Sequence, residues 1–420
     1  MHTEEGPSTV LTPKAPGPAP RASSLEELIA AFHVMRGRIG SLFALAGIDT
    51  SKTREPAREL GISRGLAWRL TRMIREADPT SAISSLPGGA SMARFFESCR
   101  ARGVPDSAIQ AAADSFARFE SALLSCTGDR KTLGMMMVNR QAGAAGGEVA
   151  KARRQLFEGA CGVWGVQAQT RFVTVFVFPS PDDPTKLDAG HVTGFVGFRR
   201  LSGKPWPLSY EAVHRSTGAA APFVKEPLDP SGTGEGQLQL IKRFCSPGVP
   251  DIKVVTSGDY KRFELAAGPV GNEGLTNCVF GTRLRRLYDR YSATPETAGF
   301  MVLFSTPVER VMFDMFVHRS LDVSGPPGAQ LIDRLAFPGS ASESEFAERS
   351  LPMAENAVPL PGGVEGSLCG YIPWYTSLVE FVTERIGMPI GEFQGSRFEM
   401  TYPPISTTLS RRFDLHPPPA

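Results

Sequence analysis

Residues 51–78 read SKTREPARELGISRGLAWRLTRMIREAD. The stretch predicts two helices joined by a tight turn at Gly61-Ile62-Ser63. Gly61 sits where a positive φ is required, and only glycine adopts that region without strain. Ala57, four residues earlier, is small enough for the two helices to approach. Leu60 and Ile62 flank the turn as core residues. Ser63 is placed to N-cap the second helix. Ala67, Leu70 and Ile74 then form its buried face. Arg64, Gly65, Trp68, Arg69, Arg72 and Arg75 are left facing outward. Ser51 or Thr53 caps the first helix. Pro56 fits only in the first turn, where its missing N–H costs little. Asp78-Pro79 ends the second helix.

Upstream, Ser24 and Glu27 form a capping-box pattern. A helix over 25–45 follows, with Leu25, Leu28, Ile29, Phe32, Met35, Ile39, Leu42, Phe43 and Ala46 on one broad face, and Gly47 stops it. Residues 1–22 are rich in Pro, Ala and Gly without hydrophobic periodicity, and are expected to be a disordered tail. Downstream, 91–102 carries Met92, Phe95, Phe96 and Cys99 at helical spacing. Pro105-Asp106 opens a further helix with Ile109, Ala112, Ala113, Phe116, Phe119, Leu123 and Leu124 as its stripe. These stripes serve either dimer contacts or packing on the first helix. Residues 23–140 are thus expected to form a helical domain, and QAGAAGG at 141–147 a linker.

The pattern then changes. A helix over about 148–158 leads into strands at 163–178 and 191–201, aromatic and β-branched, separated by a Pro/Asp turn at 179–184. Turn signals recur to the end. Helices are expected only at 284–291, 330–335 and 374–386. GFVGFRRL at 194–201 is echoed by DMFVHRSL at 314–321, each read as closing a hairpin, and RFEL at 262–265 by RFEM at 397–400. The echoes suggest two related lobes, 148–270 and 271–420. The fold class expected is therefore α+β and multidomain, an all-helical N-terminal unit followed by a large antiparallel β-rich region.

At 420 residues the chain is long enough for two or three domains. Its composition, 41% hydrophobic and 21% charged, is ordinary for a globular protein. No apolar run reaches the ~18–20 residues of a membrane helix. The start lacks a basic segment followed by an apolar one, so no secretory signal is read there. The six cysteines, Cys99, Cys126, Cys161, Cys245, Cys278 and Cys369, lie far apart and form no CxxC pair. They fit buried small hydrophobes in a cytoplasmic protein.

Net charge is only +2, but it is unevenly spread. Between Arg36 and Arg75 there are nine basic and three acidic residues, a local net charge of +6. The excess is of the kind a phosphate backbone would feel.

The ARELGISRGLAWRL portion resembles the helix-turn-helix superfamily of DNA-binding regulators. The resemblance covers about 25 of the 420 residues. It implies that Ser63, Arg64 and Arg69 lie nearest base edges in a DNA major groove, where arginine pairs with guanine O6 and N7. Arg58 and Arg72 would hold phosphates, and Trp68 would meet a thymine methyl, a sugar or a neighbouring helix. The plain alternative is a helical hairpin with a solvated arginine face. Pro56 departs from the usual apolar residue at its position. A homodimer on double-stranded DNA is expected, because such regulators read paired half-sites.

No other motif carries chemistry as clearly. GTGEG at 232–236 lacks the Lys-Ser/Thr of a phosphate loop, and it and 268–274 are read as turns. The six histidines show no zinc spacing. His191 or His318 could meet a carboxylate. No nucleophile signature is present, so no enzyme activity, catalytic residue, metal or cofactor is expected. Trp164, Phe172, Phe176, Phe178, Phe195 and Phe198 are core residues or the lining of a ligand pocket. The functional expectation is a DNA-binding regulator with a ligand-sensing or protein-binding C-terminal region. The alternative is an assembly protein that oligomerises through its N-terminal helices. An enzyme of unrecognised type is a third reading.

Overall fold

The computed structural model describes residues 25–50, 55–76, 79–130, 132–133, 136, 146–212, 223–231, 236–249, 251–257, 260–293, 296–321, 323, 326–333 and 349–418. The expected tail at 1–22, the caps at Ser51 and Thr53 and most of the expected linker lie outside them; residues 146–147 already belong to a helix. The architecture is α+β, in two compact units, Met1–Gln141 and Ala142–Ala420.

The first unit is helical: α1 (Leu25–Leu45), α2 (Glu55–Leu60), α3 (Arg64–Arg75), α4 (Pro79–Ser84), α5 (Gly89–Ala101) and α6 (Asp106–Thr127). One apolar core joins them. Phe32 of α1 meets Phe119 of α6 with ring centroids 5.9 Å apart, and Phe43 meets Phe95 of α5 at 5.2 Å. Most of the α5 and α6 stripes are consumed in this core: Met92, Phe95, Cys99, Ile109, Ala112, Phe116, Phe119 and Leu123 are buried there, whereas Phe96 and Ala113 are half-buried and Leu124 is exposed. Of the two roles expected for them, packing on α1 is the one observed. By length and composition α1 could also cross a membrane. In the fold Leu28, Phe32, Met35, Ile39, Leu42 and Phe43 form the centre of the helical core.

The second unit begins with α7 (Gly146–Trp164). The helix outruns its expected end at 158, and it stops only where Gly165 takes φ +70°. A seven-stranded sheet follows, in the order β11-β12-β9-β1-β2-β7-β4. Its strands are β1 (Val166–Pro179), β2 (Lys186–Arg200), β4 (Val224–Pro227), β7 (Thr276–Asp289), β9 (Val308–His318), β11 (Val358–Pro359) and β12 (Phe393–Thr401). Two three-stranded sheets complete the unit. One is β10 (Gly328–Asp333), β13 (Thr407–Asp414) and β8 (Thr297–Phe304); the other is β3 (Trp206–Ala212), β6 (Tyr260–Leu265) and β5 (Ile252–Ser257).

β1 is buried on both faces, as expected of a central strand. Phe172, Phe176 and Phe178 pack on α8 (Tyr375–Ile386) and its surroundings. Val173, Val175 and Val177 pack on the β10-β13-β8 sheet. The centre requires close approach. A Cβ on Gly194 of β2 would lie 2.6 Å from the Phe172 ring and 2.7 Å from the Cys278 carbonyl oxygen.

The large sheet is mixed, because β9 runs parallel to β1 while their other neighbours are antiparallel. A parallel pair cannot be closed by a hairpin, and the chain between β1 and β9 passes through β2 to β8. The two expected lobes are not separate. Strands from before and after residue 270 share the one sheet. The sequence echoes also fall at unlike places. Residues 194–201 end the β1–β2 hairpin, whereas 314–321 end β9, whose partners are β1 and β12 and not the preceding β8. RFEL lies in β6 of a small sheet and RFEM in β12 of the large one.

Residues 284–289, expected to be helical, belong to β7. The misreading has a physical cause. Leu284 pairs with Ala189 but Tyr288 pairs with Leu187, so four residues of β7 span two of β2. Arg286 takes φ +55° in this bulge. Buried Asp188 holds it, accepting from the Arg286 N–H at 2.9 Å and from Arg283 Nη2 at 3.1 Å. The bulge sends Leu284, Leu287 and Tyr288 into the same core and so imitates a helical spacing. Residues 330–333, also expected to be helical, are in β10 and pair with β13.

A buried polar network ties α8 to the sheet. Asp314 on β9 lies beside Thr174 on β1 and Arg397 on β12 in the strand register. Arg397 donates from Nε and Nη2 to the two Asp314 oxygens, each at 2.8 Å. The Tyr375 hydroxyl donates to Asp314 Oδ2 at 2.8 Å and stands 2.8 Å from Thr174 Oγ1. Burial pushes the Asp314 carboxyl above its ordinary range, and the Arg397 fork and Tyr375 act against that push.

Candidate functional site

α2 and α3 are built from strictly local signals. Pro56 is the second residue of α2, so its missing N–H falls in the first turn. Gly61 takes φ +62° and reverses the chain. Ser63 then caps α3, its Oγ accepting from the Leu66 N–H at 3.2 Å. Ser63→Ala is expected to lower the stability of the helical unit by about 1 kcal/mol, with Ser63→Asp close to wild type in a thermal melt.

α3 divides cleanly by side. Leu66, Ala67, Leu70, Thr71 and Met73 are buried, while Arg64, Gly65, Trp68, Arg69, Arg72 and Arg75 are exposed. At ~100° per residue, the exposed set covers an arc of roughly 140°. The buried face is broader than expected: Leu66, Thr71 and Met73 belong to it, and Ile74 is only half-buried. Among the described residues no ion pair engages Arg64, Arg69 or Arg72. The Arg72 guanidinium lies over the Trp68 ring at 5.2 Å from its centroid. Trp68 is 47% exposed, so it is a surface platform rather than a helix contact.

Arg58 and Arg36 are less free. Arg58 is exposed, but its Nε and Nη2 donate to Glu59 at 3.0 and 2.8 Å. Glu59 also takes Arg102. Hydrogen bonds from Arg58 and then Arg102 hold the Glu59 carboxyl below its usual range. Arg36 serves structure, its Nη1 donating to the Glu76 carbonyl at the C-cap of α3 at 2.8 Å. A cation there complements the partial negative charge of the helix end. Ser63 uses its oxygen in the cap and keeps its hydroxyl proton for another acceptor.

The second unit holds a cavity of about 870 Å³ that no motif announced. It is lined from β1, β2, β3, β4, β6, β7 and β8, with Arg171, His191, Lys225, Lys261, Phe263 and Phe280 among its walls. Of the two readings of the aromatic set, core is the one observed for Phe172, Phe176, Phe178, Phe195 and Phe198, while Trp164 is exposed on α7. Of GTGEG at 232–236, Gly236 reaches the cavity wall and the rest lies outside the described residues. Residues 271–274 form a 3-10 turn.

Among the described residues His191 meets no carboxylate. Its ring stacks on Phe300 at 6.1 Å and faces the positive charge of Arg171, whereas His318 Nε2 reaches Glu392 Oε2 at 3.1 Å. Burial first, and Arg171 next, lower the His191 pKa to about 4 from the ordinary 6.5. The unfolded chain therefore takes up this proton before the folded one does. Stability is full above about 6.5, falls as the pH drops, and levels off below about 4. Discounted for the partial opening of the ring to the cavity, the effect is about 2 kcal/mol. Urea melts at pH 7 and pH 4.5 should differ less for His191→Gln than for wild type.

The sequence carried a faint signal for Arg171, a lone charge inside the apolar strand TRFVTVFVF, and none for its surroundings. The chain matches no family model and no curated protein sequence.

Proposed function

We propose that this chain is a DNA-binding regulator in which α2 and α3 act as a helix-turn-helix and α3 enters a major groove. The observation that carries the reading is the exposed arc of α3. Arg64, Arg69 and Arg72 stand on it without acidic partners among the described residues, opposite a buried face that is apolar but for Thr71. Arg64 and Arg69 are the base readers, with Ser63 beside them. Arg72 and Trp68 form one stacked unit suited to phosphate and sugar. Arg58 contributes less than the sequence suggested, because Glu59 shares its charge. The second unit, 142–420, senses a ligand or partner. A homodimer reading paired half-sites belongs to the same proposal, with contacts on faces other than the consumed stripes of α5 and α6.

The test is fluorescence anisotropy of the full chain with a labelled pool of genomic duplex fragments. The expected result is saturable binding that weakens steeply with salt, since each neutralised phosphate contributes about −0.9 to the slope of log K against log salt. Binding that ignores salt, or no binding at all, overturns the proposal. The assembly reading has less to rest on, because most of the apolar stripes that would drive it lie in the core.

A further inference from the structure

Buried guanidinium groups in the second unit are treated in two different ways. Arg411 is fully buried and is held by oxygens: Nη1 donates to the Phe313 and Ser396 carbonyls at 2.8 and 3.0 Å, and Nη2 to the Pro327 carbonyl at 3.0 Å and Ser396 Oγ at 2.7 Å. Arg200, also buried, donates to the Ala266 and Lys204 carbonyls. Arg171 receives no such shell. It is 8% exposed, and while Arg411 and Arg200 each leave one buried nitrogen unpartnered, Arg171 leaves both Nε and Nη1, closed off from solvent, without a hydrogen-bond partner among the described residues. Aromatic rings hold it instead, Phe195 at 4.2 Å and Phe280 at 5.7 Å from the guanidinium carbon.

Rings cover the faces of a guanidinium and leave its N–H edge unanswered. A buried charge with an unanswered edge is costly to a fold. In this case the group lines the 870 Å³ cavity. The carboxylates on the same wall are already engaged: Glu211 takes Lys225, itself on the wall, and Glu226 stands 3.5 Å from Arg285. Lys261, a third cation on the wall, has no ion pair among the described residues. His191, neutral at ordinary pH, adds hydrogen-bonding capacity on the same wall without adding negative charge, whereas the Thr193 hydroxyl is spent on the Phe172 carbonyl at 2.8 Å.

We propose that this cavity binds a small organic oxyanion, a carboxylate or phosphate ester, with the Arg171 guanidinium as its charge partner. The volume lies within the range typical of pockets for small organic ligands. A guanidinium pairs with carboxylate and phosphate alike. Phe263 and Phe280 offer an apolar wall for the body of the molecule, and Lys261 a further charge. The inference goes beyond the DNA reading and stands without it; if both hold, the ligand is the effector.

The experiment is calorimetric titration of the full chain with sodium benzoate in one arm and inorganic phosphate in the other, at ionic strength fixed with sodium chloride. The expected result is saturable binding in at least one arm, with the arms deciding between the two oxyanions. Arg171→Gln should weaken it at least about tenfold, and Arg171→Lys by about tenfold because the charge stays and the planar guanidinium goes. If Arg171→Gln does not fold, Arg171→Lys carries the comparison. No saturable binding in either arm, or binding undiminished in the folded variants, overturns the proposal. Arg171→Met supplies an independent readout. Removing an unanswered buried cation should leave the ligand-free melting temperature unchanged or raise it. A marked drop would mark the cation as structural and count against the site.

Discussion

Arg64→Ala combined with Arg69→Ala is expected to remove specific DNA binding while leaving the helical unit folded. Both side chains are exposed on α3, and neither is paired with an acid among the described residues. Their removal leaves no unpaired buried partner, so melting and circular dichroism should stay near wild type. A bidentate arginine–guanine contact is worth about 1–3 kcal/mol of discrimination. Two of them correspond to a loss of about 30-fold to 10⁴-fold in affinity for a selected site. Arg72→Ala should behave differently. It should weaken all duplexes alike and lower the salt slope by about 1. Arg58→Ala should do little, since that guanidinium is tied to Glu59. Affinity unchanged in the double variant would sink the major-groove assignment, and a fold lost in it would contradict the exposed placement of both arginines.

Asp314→Ala is expected to produce the largest loss of stability in the second unit, about 3–5 kcal/mol. The magnitude follows from what remains behind. Arg397, with a side chain only 11% exposed, keeps the Leu368 and Ser367 carbonyls but loses both carboxylate bonds. Tyr375 keeps only Thr174. An unpaired charge buried between sheet and helix is the costly product, not the lost attraction itself. For the same reason Asp314→Leu with Arg397→Met should recover much of the loss, because a buried pair and a well-packed apolar pair differ little in net stability. Urea unfolding followed by tryptophan fluorescence would read this, as Trp374 adjoins Tyr375 and meets Phe172 at 5.8 Å. A double substitution as damaging as the single one would refute the argument.

The two-helix unit could be read directly because each of its signals is local. A positive φ at Gly61, a serine before α3 and an apolar spacing of three and four residues act within one turn of chain. The α5 and α6 stripes were equally plain as stripes, but their partner was not. Only packing shows that α1 covers them. β7 shows the opposite case. Its bulge gives a strand the spacing of a helix, and the cause, Asp188 on the neighbouring strand, lies about 98 residues away in sequence. The echoes between 194–201 and 314–321 failed likewise. Similar short strands were placed by their neighbours in unlike positions.

The sequence by itself determined the α+β division, the Gly61 turn, the cap at Ser63 and which arginines α3 carries outward. These follow from backbone freedom, hydrogen-bond valence and helical period, which neighbouring residues settle among themselves. Tertiary structure alone decided that Arg58 and Arg36 are occupied, that β1 and β9 run parallel, that Asp314 meets Arg397 and that Arg171 faces a cavity with its edge unanswered. A charge acquires its meaning from what lies within a few ångströms of it, and residues far apart in the chain supply those neighbours.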